Sequence, residues 1–95
     1  MSEPITPEAA PVEDAVTALL RAVHDALDLP LPGLTDEDER EHRALLINRA
    51  ADARIVLAGV LERGLRMETA STFLRGRTAT LPVTYTPWMD KGAPA

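Results

Sequence analysis

Two histidines and two aspartates carry the most chemical promise in this 95-residue chain, because they come in matched pairs. His24 and Asp28 are four positions apart, and so are Asp38 and His42. On helices, each pair shares a face. If the two helices form an antiparallel hairpin closing through residues 29–35, all four meet near the loop end. Such a set has the donors of a metal site or of a pH-sensitive cluster. Both histidines also sit at the edges of apolar stripes, where an imidazole packs or bonds a nearby carboxylate. We therefore expect a structural role and no metal.

Other chemistry is poorly served. There is no Cys, which removes disulfides, thiolate zinc sites and cysteine nucleophiles and suits a reducing, cytoplasmic setting. Gly33, Gly59, Gly64, Gly76 and Gly92 stand singly, so no phosphate-cradling loop is present. Ser2 and Ser71 lie in no glycine-flanked elbow. Carboxylates are abundant, but a general acid–base pair needs enclosure to shift its pKa values. No catalytic residue, no cofactor and no enzyme is expected. The N-terminus lacks the basic and apolar regions of a signal peptide, and no apolar run is long enough to span a membrane.

The elements that would position these residues are written clearly. Residues 1–10, with Pro4 and Pro7, read as a flexible arm. Pro11 suits a helix start. From there Val12, Val16, Leu19, Leu20, Val23 and Leu27 recur at helical spacing. Pro30, Pro32 and Gly33 make a stiff connector. Thr35 is a helix cap followed by four acids in the first turn, with Leu34 placed to staple it. A calcium loop is not indicated, because spaced oxygen ligands and a central Gly are missing.

A long second helix should run from Asp36 to about Arg63, with Gly64 as its stop. Its expected stripe is Leu46, Ile47, Ala50, Ala53, Leu57, Val60 and Leu61, widened by Leu45 and Val56. A short third helix is expected over Arg66–Arg75, with Met67, Ala70 and Leu74 on one side and Gly76 ending it. Residues 77–95, broken by Pro82 and Pro87, should be extended and bear Tyr85 and Trp88. The expected fold is thus all-α: an antiparallel hairpin of a short and a long helix within residues 11–76, a short third helix and an extended tail.

The apolar surface of the second helix exceeds what one short helix covers. The chain's own C-terminal third or a second copy of the chain would cover the rest, and association with itself or with another protein is the expected function. Leu46, Ala53, Leu57, Val60 and Leu61 are the candidate interface, and Tyr85 and Trp88 either fold back or anchor in a partner groove.

Charge suggests an alternative. Residues 1–39 carry ten acids against Arg21 alone, while residues 40–95 carry nine bases against five acids. Arg63, Arg66, Arg75 and Arg77 form a basic distal end that would contact nucleic acid, with Tyr85 or Trp88 stacking on a base. The net charge of −5 opposes this, since the chain as a whole repels phosphate.

The stretch Leu27-Asp-Leu-Pro-Leu-Pro-Gly-Leu-Thr-Asp-Glu-Asp-Glu-Arg40 and the ending Arg77-Thr-Ala-Thr-Leu-Pro-Val-Thr-Tyr-Thr-Pro-Trp88 resemble small helical proteins of actinobacteria and their phages or integrated elements. The resemblance covers about a quarter of the chain and implies an accessory protein. It carries over no substrate and no site residue.

Overall fold

A computed structural model describes residues 13–88, so the 1–10 arm, Pro11, Val12 and residues 89–95 lie outside the described part. The fold is all-α. Helices α1 (Ala15–Leu27), α2 (Asp36–Arg63) and α3 (Met67–Ala79) follow one another, the long middle helix flanked by two of 13 residues. α3 packs against both other helices and is the larger partner of α1.

Each helix boundary has a local cause. Helix α1 starts at Ala15 because Asp14 caps it, its carboxylate accepting the Thr17 N–H at 2.7 Å. Those hydrogen bonds hold the Asp14 carboxyl below the usual range. In α2, the Thr35 hydroxyl accepts the Asp38 N–H at 3.0 Å, as expected. At its far end Gly64 takes a left-handed conformation, φ 73°, and lets the Leu65 N–H return to the Gly59 carbonyl at 2.9 Å.

Three features differ from the sequence reading, the first being the start of α1, which falls at Ala15 and not at Pro11 because Asp14 takes an extended conformation and caps the helix. Leu34 does not staple α2; it stands 82% exposed. Gly76 does not stop α3, because it lacks the left-handed φ that turns a chain out of a helix. Arg77 beyond it is tied to Asp52 of α2 at 3.1 Å, and Thr78 is half-buried, so packing carries the helix on to Ala79. Thr80 ends it, with its N–H and its hydroxyl both donating to the Arg77 carbonyl.

The core gathers Leu19, Ala22 and Ala26 of α1, Ala53 and Val56 of α2, and Ala70 and Leu74 of α3. Four of these seven are alanines, so the helices meet over small side chains. The buried face of α1 is turned by about 80° from its leucine stripe, and that of α2 by about 100°. Leu20 and Val16 on α1, and Ile47 and Leu61 on α2, consequently face solvent.

Candidate interaction surfaces

The turn of α2 about its own axis has one side chain at its centre. Arg49 is only 7% exposed and sits between Leu45 and Ala53 on the buried face. Its Nε and Nη2 both donate to the Leu81 carbonyl, at 3.0 and 2.7 Å. Its Nη1 donates to the carbonyls of Asp25 and Ala26, at 3.3 and 3.2 Å. The guanidinium therefore neutralises the negative end of α1 and holds the chain just past α3. One side chain binds all three helices together, and it does so through backbone carbonyls. A charged residue flanked by Leu45, Ala53 and Val56 at helical spacing is the signal in the sequence for this role.

Beyond α3 the chain runs back to the connector. The Gly33 N–H donates to the Thr86 carbonyl and the Trp88 N–H to the Leu31 carbonyl, both at 2.7 Å, with Pro32 opposite Pro87. The bonds come from the residues next to the prolines, which have no N–H to give. Asp38 completes the junction, its carboxylate accepting the Thr86 N–H at 3.2 Å. Space is short at Gly33, since a Cβ would lie 2.7 Å from the Asp38 carboxylate and 3.0 Å from the Thr86 carbonyl, and both would have to shift.

Tyr85 is buried under this junction. Its hydroxyl donates to the Pro30 carbonyl at 2.6 Å, and its ring meets His42 edge to face at 5.4 Å. Burial raises its pKa above the ordinary tyrosine value, with nearby Arg49 pulling slightly the other way. Tyr85 is a brace within the chain and is not available to a partner. Trp88 is half-exposed and remains available.

The histidine–aspartate constellation does not assemble. His24 is exposed and contacts its neighbour Asp25 at 3.1 Å, His42 packs on Tyr85, and Asp38 serves Thr86. Among the described residues no group of three or more potential ligands is placed to hold a metal.

The expected α2 interface divides. Ala53 lies in the core, and Leu57 and Val60 pack against it, because the buried face is centred on Arg49. Leu46 is at the edge of exposure and Leu61 is 80% exposed, with Ile47 beside them on the outward side. The distal arginines do not act as a set either. Arg77 is held by Asp52, and Arg66 lies 4.0 Å from Glu68. Arg63 and Arg75 form no ion pair among the described residues.

A groove of about 360 Å³ between α2 and α3 was not foreseen from the sequence. Val56 and Gly59 line it alongside Ile55 and Phe73, with Arg63 contributing the charged group. Leu65 packs over Gly59, where a Cβ would come within 3.0 Å of its side chain. Among the described residues no helix is long and apolar enough to cross a membrane. Comparisons with protein-family models, curated proteins and solved structures find no match for this chain.

Proposed function

We propose that this chain is a non-catalytic helical interaction module that associates with itself through the outward side of α2. The observation that carries the reading is the offset between the apolar stripe of α2 and its buried face. Leu46, Ile47, Ala50 and Leu61 share the side left outside the core, and Leu61 is 80% exposed. An isologous contact along α2 would cover this side with its own copy. The accessory role implied by the resemblance fits such a module.

A regulator that touches nucleic acid through Arg63, Arg66, Arg75 and Arg77 is the alternative. It draws support from Arg63 and Arg75, which form no ion pair among the described residues, and is weakened by the engagement of Arg77 with Asp52.

The test is solution mass by light scattering over a concentration series, with the intact chain and with Ile47→Glu/Leu61→Glu. At moderate salt, a dimer that is lost in the double variant, with helix content kept, is expected. A monomer at every concentration ends the reading.

A further inference from the structure

The two ends of the molecule are opposites, and they are far apart. The 28 residues of α2 separate them by about 42 Å. At the connector end Leu31, Leu34 and Trp88 are each exposed, with Trp88 tied to Leu31 through the backbone. Over residues 28–41 the acids Asp28, Asp36, Glu37, Asp38, Glu39 and Glu41 stand against Arg40. This is an apolar tip in an acidic collar.

The other end has the complementary form. The groove between α2 and α3 presents Ile55 and Phe73, each about half-exposed, and Arg63 belongs to its lining. The Asp52–Arg77 ion pair joins the same two helices beyond Ile55 and Phe73. Over residues 62–77 the bases Arg63, Arg66, Arg75 and Arg77 stand against Glu62 and Glu68. Asp52 takes up Arg77, so Arg63 and Arg75, which form no ion pair among the described residues, carry the positive charge of this end. This is an apolar groove in a basic collar.

We propose that the groove receives the connector tip of a second copy of the chain, with Leu34 entering beside Phe73 and the acidic first turn of α2 facing Arg63 and Arg66. A chain cannot fill its own groove, because its tip lies at the far end of α2. Opposite charge around two apolar surfaces brings unlike ends together and disfavours like ends. Because tip and groove are different surfaces, the contact is heterologous: it propagates head to tail, closing into a ring or extending into a filament. It rests on the reading of the chain as self-associating and adds a directional contact to the α2 one.

The experiment is light scattering on the full chain at low salt, with α2's outward side silenced by Ile47→Glu/Leu61→Glu. That parent should still associate, its mass should rise with concentration, and it should fall as salt screens the collars. Adding Leu34→Asp or Phe73→Asp should each give monomers with unchanged helix content, and Arg63→Glu should weaken association without touching the apolar surface. Mixing the Leu34→Asp and Phe73→Asp chains restores one intact tip and one intact groove, so a pair of one each, and nothing larger, is expected. A parent that is monomeric while the unmodified chain dimerises overturns the head-to-tail contact and leaves the α2 module standing. Association indifferent to Leu34→Asp and Phe73→Asp overturns it too. An unmodified chain that is monomeric throughout overturns both.

Discussion

Tyr85 and Pro30, 55 positions apart in sequence, are joined by a hydrogen bond of 2.6 Å from the phenol to the backbone carbonyl. Around it the tail closes on the connector, and the connector joins α1 to α2. The stability of one end of the fold therefore hangs on a phenol that is neutral and buried.

Tyr85→Phe keeps the ring against His42 and removes the donor, leaving the Pro30 carbonyl unpartnered. We expect a loss of about 1–2 kcal/mol, seen as a lower midpoint in chemical denaturation. Unchanged stability would show that water replaces the hydroxyl without loss.

The same phenol gives the fold an alkaline limit. Its folded pKa is raised, so its contribution is complete below the ordinary value of 10.0 and is lost as pH climbs from there toward the folded pKa. As the single tyrosine of the chain, it can be titrated alone by tyrosinate absorbance. A midpoint above 10.0 in the folded protein, returning to 10.0 in denaturant, is expected; equal midpoints would contradict the burial.

Arg49→Met should be among the most damaging substitutions. It removes the donors for the carbonyls of Asp25, Ala26 and Leu81 while keeping a long apolar stem. A loss of about 3 kcal/mol is expected, on the order of 10 °C or more in Tm for a domain of this size. Arg49→Lys should recover only part, because an ammonium cannot serve both sites as the planar fork does. Full rescue by Lys would mean that charge alone suffices.

The glycines should divide in opposite directions. Gly33→Ala brings a Cβ against the Asp38 carboxylate and the Thr86 carbonyl, and should cost about 1–3 kcal/mol. Gly76→Ala meets open space inside a helix and should stabilise by about 0.5–1 kcal/mol. Equal effects from the two would deny that α3 runs through Gly76.

Retention on heparin at low salt separates the alternative reading. Arg63→Ala/Arg75→Ala should abolish any salt-sensitive retention if these arginines meet phosphate, and a wild-type chain that flows through unretained removes the nucleic-acid reading.

Helix existence was legible because it is written in local chemistry: Thr35 and Gly64 cap α2 as their side chains and conformations require. The buried side of α3 was legible too, since Ala70 and Leu74 lie in the core with Met67 packed against it, but the buried sides of α1 and α2 were not. Leucine stripes outweigh alanines in any hydropathy pattern, yet Ala22, Ala26, Ala53 and Ala70 form the contact. Arg49 hides the true face of α2, because a charge in an apolar row looks like an interruption when it is the fastening. The antiparallel pairing of Pro32 with Pro87 was equally hidden, since two prolines rarely advertise a bridge. The groove depends on how α2 and α3 lie side by side, which no single segment encodes.

The closure of residue 88 onto residue 31 also sets an order of events. Its contacts close a loop that holds both α2 and α3, so they are slow to be found and early to be lost. Amide exchange at Gly33 and Trp88 should run faster than in the middle of α2, reporting a partly open form in which the three helices persist. In that form Trp88 no longer stands beside Leu31, and the tip exists only in pieces. Whatever the tip recognises would then bind the closed form alone, so that occupancy itself would tighten the junction and slow exchange at those two amides.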